Sequence, residues 1–175
     1  VRRRAAALAA SLVAACASLP PPPGEAPAFE LTARVAVRYG AQSATGRAEW
    51  RHSVAADDLV ISNPLGQGLA EITRRGDAYV LVTGDGKRHA AADPEALTES
   101  VLGWRLPLAG LPDWVRAQPA PGAPARAKRD GARLGELVQS GWRIEYLEYG
   151  ENGLPRRMRL TRDELDIRLV IEEWR

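Results

Sequence analysis

The sequence predicts a mainly β fold: an open antiparallel half-barrel with an apolar cavity covered by short helices. Three observations lead there. From Phe29 onward, apolar and polar residues alternate with a period of two in one short run after another, as in strands with one face buried and one in water. Turn formers separate the runs, and about 150 residues organised this way suit one curled antiparallel sheet. The alternation is interrupted once, by helical signals carrying Leu97, Val101, Trp104, Leu108, Leu111 and Trp114, the only segment able to cover the sheet's apolar face. That cover is either a packed core or a removable lid, and Ala44, Gly46 and Ala48 on the second strand favour room inside the curve.

The chain opens with Arg2, Arg3 and Arg4, an apolar run from Ala5 to Ala15, and then Cys16, the only cysteine. This reads as a signal peptide over residues 1–15, since permanent spanning needs roughly 20 apolar residues. Val13-Ala14-Ala15-Cys16 resembles a bacterial lipobox, so Cys16 is the expected lipidation site, carrying diacylglyceryl and N-acyl groups. Two or more acyl chains make such an anchor effectively permanent. With Ala17 and Ser18 rather than aspartate after the cysteine, the expected destination is the outer membrane, facing the periplasm. Cleavage removes three arginines and takes the formal charge from +2 to −1, so nothing suggests a nucleic-acid surface, and Arg126, Lys128 and Arg129 read as a solvated loop. Residues 16–28, with prolines at 20–23 and 27, form an extended spacer, and residues 29–175 a single domain.

Within the domain, Phe29, Leu31, Ala33, Val35 and Val37 share one face of a first strand, and the run from Ala44 to Arg51 is its hairpin partner. Leu59 to Ser62 and Leu69 to Arg74 flank Asn63-Pro64-Leu65-Gly66-Gln67-Gly68, a turn in which a large apolar residue stands where water-facing ones are expected. Leu65 is either tucked onto the core or displayed for a purpose. Tyr79 to Thr83 and Lys87 to Ala90 make the next pair. Asp93-Pro94-Glu95 caps and starts a helix that stops at Gly103, and Pro107 and Pro112 bound a second, short one. Pro119 to Ala127 reads as a loop. Strands return at Arg133 to Val138, Trp142 to Leu147, around Met158 and Leu160, and from Leu165 to Trp174.

Catalytic apparatus is not visible. His52 and His89 have no ligands at metal spacing, no glycine-rich phosphate loop or serine elbow occurs, and strand alternation sends Glu172 and Glu173 to opposite faces. An enzyme is not expected, and neither a metal nor any cofactor beyond the acyl groups on Cys16.

In order, the lipobox, Ala33-Arg34 within the first strand, Trp50, Asn63-Pro64-Leu65-Gly66, Leu106-Pro107-Leu108, Leu111, Trp114, Gln139-Ser140-Gly141-Trp142, Tyr146 and Trp174 resemble the LolB family. The resemblance implies an outer-membrane receptor that accepts acylated lipoproteins from the periplasmic carrier LolA and inserts them into the outer membrane. It also implies a loop, Pro64-Leu65-Gly66, whose exposed leucine assists delivery, and an acyl-chain cavity, for which Phe29, Leu31, Val35, Trp50, Trp104, Trp142 and Ile144 are the candidate lining. The expected partners are a LolA-like carrier, acylated lipoprotein clients and outer-membrane lipid, with the receptor a monomer. Two departures stand out: a short, proline-rich spacer where some members carry an extra helix, and Ala117 where glycine is usual. The alternatives are an envelope-assembly lipoprotein that docks a protein partner without binding lipid, and a carrier of free lipid or glycolipid.

Overall fold

The computed structural model describes residues 27–175, so the expected signal peptide, Cys16 and nearly all of the spacer lie outside the described residues. Eleven strands and two short helices follow in order: β1 (Phe29–Tyr39), β2 (Gln42–His52), β3 (Ala56–Ser62), β4 (Gly68–Arg75), β5 (Ala78–Thr83), β6 (Arg88–Ala91), α1 (Pro94–Leu102), α2 (Leu111–Trp114), β7 (Ala125–Asp130), β8 (Arg133–Gln139), β9 (Trp142–Tyr149), β10 (Pro155–Arg162) and β11 (Leu165–Trp174). The strands form one antiparallel sheet in the order β6-β5-β4-β3-β2-β1-β11-β10-β9-β8-β7. Because β6 and β7 pair on one side only, the sheet stays open, a half-barrel rather than a closed one.

Alternation decides which face is inside. Phe29, Leu31, Ala33 and Val37 of β1 are buried, as are Leu165, Ile167, Leu169 and Ile171 of β11 beside them. The inner face is covered by the α1–α2 segment. Asp93 caps α1, its carboxylate accepting from Glu95 N and Ala96 N, and Gly103 ends it.

Three expectations need correction. The segment holding Arg126, Lys128 and Arg129 is not a loop but the edge strand β7, exposed along its whole length. With water on both faces, such a strand has no apolar period to betray it, and its basic residues are the sort that blunt an edge against unwanted pairing. Glu172 and Glu173 do not take opposite faces: Ile171 pairs with Ala33 but Glu173 with Thr32, a bulge that leaves both glutamates exposed. Of the three small residues on β2, only Ala48 is buried inside; Ala44 is exposed, and the place a Gly46 Cβ would occupy is 2.5 Å from the Ser62 carbonyl oxygen. Glycine at 46 lets β3 approach; it does not enlarge the interior.

Candidate functional site

Inside the half-barrel, β1 contributes Leu31, Ala33 and Val35, β2 contributes Ala48 and Trp50, and β3 contributes Leu59 and Ile61 to one apolar chamber. Leu160 of β10 and Ile167, Leu169 and Ile171 of β11 complete the curved wall. Leu106, Pro107, Leu108, Leu111 and Val115 form the lid over it. Among the described residues no polar side chain joins this lining, and the remaining cavity is only about 60 Å³. The shape is that of a collapsed apolar container.

Polar contacts brace this container from behind. The Trp50 indole donates to Asp57 Oδ1 at 2.8 Å, and His52 Nδ1 lies 2.6 Å from the same oxygen while Arg74 Nε donates to the other. A cavity-wall ring is thereby fixed by a carboxylate that is itself almost fully enclosed. On the lid side, Gln139 is 2% exposed and uses all four of its amide positions. Its Oε1 accepts from Trp114 Nε1 and Ala120 N, and its Nε2 donates to Ala120 O and Ala123 O, each at 2.8 Å. Tyr146 donates to the Trp114 carbonyl at 3.0 Å, and burial pushes its phenol pKa up. The C-terminal end of the lid is therefore tied down, and Leu106 N is held to α1 by the Thr98 hydroxyl at 2.9 Å.

The 63–68 turn lies at the end of β3. Asn63 organises it: Oδ1 accepts from Leu65 N at 2.9 Å and Gln67 N at 3.0 Å, and Nδ2 donates to Gln67 Oε1 at 2.8 Å. Gly66 sits at φ 84°, where a side chain would be strained. Leu65 is held at the tip of this knot with 88% of its surface exposed, so it is displayed and not tucked onto the core.

Of the seven residues expected to line the chamber, Leu31, Val35 and Trp50 do. The other four do not. Phe29 closes the end of the sheet, stacked on His52 with centroids 4.9 Å apart and edge-on to Trp50 at 5.1 Å. Trp142 packs in the core against Trp114 at 6.3 Å, and Ile144 is wholly buried on the same strand. Trp104 faces a separate surface pocket with Glu99 and Arg105. The expectation favoured aromatics, whereas the wall is mostly aliphatic; the residues it missed on β3, β10 and β11 carried the same period-two signal as those it found.

The family described as "Outer membrane lipoprotein LolB" matches residues 27–174. An outer-membrane lipoprotein LolB from Pseudomonas paraeruginosa is 42% identical over 154 residues, spanning 86% of this chain and 75% of the relative. Another of that name from Azoarcus sp. is 38% identical over 149 residues, covering 83% and 77% of the two chains, and one from Thiobacillus denitrificans is 37% identical over 150, covering 85% and 81%. A LolA superfamily protein from Nitrosomonas europaea superposes with a TM-score of 0.48 at 8% identity over 84% of each chain.

Proposed function

This chain belongs to the LolB family of outer membrane lipoproteins, and from that premise we propose that it is the receptor that takes acylated lipoproteins from a LolA-like periplasmic carrier and inserts them into the outer membrane. The observation that carries this reading is the chamber under the lid: an enclosure with a wholly apolar lining has no use for a polar ligand. Carrying an acyl chain through water exposes each methylene at about 0.8 kcal/mol, so transfer between membranes needs such an enclosure.

In this mechanism the receptor is tethered by acylated Cys16, faces the periplasm and works as a monomer. At about 60 Å³ the chamber is far below the roughly 300–1,000 Å³ of ordinary ligand pockets, so an incoming chain displaces the lid segment from Leu106 to Leu111 and takes its place against Leu31, Val35 and Trp50. The cargo is handed on without covalent chemistry. Pro64-Leu65-Gly66 meets the bilayer and shortens the path from chamber to lipid.

The test uses the Cys16→Ala chain from residue 16 onward, which lacks the proposed acyl anchor. Mixed with a LolA carrier loaded with a triacylated peptide, it should strip the peptide and co-purify with it. Retention of all the peptide on the carrier would overturn the proposal.

A further inference from the structure

The outer face of the sheet changes character along two neighbouring strands. At one end β1 sets Glu30 directly opposite Arg51 of β2, and the two pair at 2.8 Å. Beside them Arg75 pairs with Asp58 at 2.5 Å and Arg175 with Glu173 at 2.7 Å, so charge there is balanced. Four residues further along β1, Arg34 stands directly opposite Arg47, and on the adjoining strands Arg159 of β10 stands opposite Arg168 of β11. Like charges placed directly opposite destabilise a sheet.

Those four arginines and Arg157 wall an open groove of about 1070 Å³, and the Leu65 loop forms its rim. Among the described residues a single acidic one, Glu172, joins the lining, shared by Arg34 at 2.8 Å and Arg47 at 3.7 Å, and Arg47 also reaches Glu49 at 3.7 Å. Asp166 is likewise shared, by Arg159 at 2.9 Å, Arg168 at 3.4 Å and Arg38 at 3.5 Å, and Arg159 also lies 3.8 Å from Glu145. Arg157 reaches Glu148 only at 3.7 Å, and it and Arg168 stay more than half exposed. The fold thus pairs opposite charges at the far end and crowds like ones beside its displayed leucine. A local rule broken at one place and kept at another on the same two strands marks a site whose missing partner is an anion.

We propose that this arginine groove binds the phosphates of anionic phospholipid headgroups and holds the loop side of the protein against the bilayer. The inference rests on the reading of Leu65 as the point that meets the membrane. Guanidinium groups match phosphate with a two-pronged hydrogen-bonding fork, and the groove lies on the same edge of the molecule as the loop tip, where headgroups stand once the tip is inserted. Lipid phosphate would supply the negative charge that Glu172 and Asp166, each divided among several arginines, leave wanting.

Vesicles of zwitterionic phosphatidylcholine and phosphatidylethanolamine, and the same vesicles with added phosphatidylglycerol, separate the contributions by co-sedimentation of the Cys16→Ala chain. At about fivefold in partition per arginine near an anionic surface, Arg157→Gln/Arg168→Gln should lower binding to the anionic vesicles roughly twentyfold and leave the zwitterionic ones unchanged. The charge-matched Arg126→Gln/Arg129→Gln on β7 should lose much less. Equal losses in the two double variants would reduce the effect to net charge and overturn the proposal, as would no gain from phosphatidylglycerol in the parent chain. A groove variant that binds anionic vesicles normally but no longer associates with the LolA carrier would give the site to a protein partner instead. Leu65→Glu separates the premise: if it binds both kinds of vesicle like the parent while the groove variant does not, membrane contact by the leucine fails and the arginine site stands.

Discussion

Replacing Gln139 by leucine removes four hydrogen bonds from the lid at one stroke. The side chain is fully enclosed and satisfies Trp114 Nε1, Ala120 N, Ala120 O and Ala123 O. Leucine fills most of the volume and satisfies none of them. The buried Trp114 indole N–H, the half-buried Ala120 N–H and two half-buried carbonyls then lose this partner, and at a net loss of about 1 kcal/mol for each bond, with more for the indole that water cannot reach, the cost is about 3–5 kcal/mol. Glutamate is no remedy, because it keeps the two acceptor contacts but turns a charged oxygen toward the Ala120 and Ala123 carbonyls. Urea unfolding followed by tryptophan fluorescence measures the loss: with a slope of about 1–3 kcal/mol per molar, the midpoint should fall by well over 1 M. Fluorescence of Trp114 itself should shift as its indole loses its partner. A Gln139→Leu chain within 1 kcal/mol of the parent would show that water enters and replaces the amide, and the tied-down end of the lid would have to be explained otherwise.

Leu65→Glu should leave the unfolding midpoint within about 0.5 kcal/mol, as expected for so exposed a site, yet slow lipoprotein delivery to vesicles while uptake from the carrier is unchanged; equal delivery rates would remove the leucine from the mechanism. Ala117 sits at φ 57° in the turn that follows α2, with Gln118 N bonded back to Asp113 O at 3.0 Å. Ala117→Gly relieves about 1–2 kcal/mol of left-handed strain against about 0.4–1 of unfolded-chain entropy, so calorimetry should show a melting temperature raised by roughly 2 °C, and a fall would contradict this reading. Burial pushes the Asp166 carboxyl up, but hydrogen bonds from Arg159 and Arg168 outweigh it and hold its pKa below the ordinary value. Stability from such a group is complete above its unfolded pKa of about 3.9 and is lost as pH falls through the lower folded value. Asp166→Asn should therefore be the weaker protein at neutral pH, with the gap closing below about pH 4, and a gap that widens in acid would reverse the assignment.

Legibility in the sequence followed burial. The strands that bury one face were readable because water on one side and side chains on the other impose a period of two, and β1, β2, β9 and β11 all carry it. Where that asymmetry vanishes the reading fails: β7 has both faces in water, and the bulge near Glu172 adds a residue that composition does not announce. For the chamber, sequence alone gives the inward face but not the distance from a strand position to the lid. Leu31 and Ile144 look alike by alternation, yet one faces the cavity and the other the packed layer beside Trp114 and Trp142. Leu65 was legible for the opposite reason, because turn chemistry around it left an apolar side chain with no local purpose.

The fully apolar chamber and its small volume constrain how the proposed cycle balances. Lifting the segment that holds Leu106, Leu108 and Leu111 exposes two half-buried leucines and one buried one, at a cost of about 3–6 kcal/mol from side-chain transfer alone. The anchor at Trp114, with its bonds to Gln139 and from Tyr146, keeps the C-terminal end of α2 on the sheet while the residues before it lift. A single acyl chain that buries a dozen methylenes returns about 10 kcal/mol, enough to hold the lid off. In the proposed cycle an empty receptor therefore closes on itself and keeps its leucines from water, a loaded one stays open, and a bilayer offering the acyl chain the same burial reclaims it as the lid closes again.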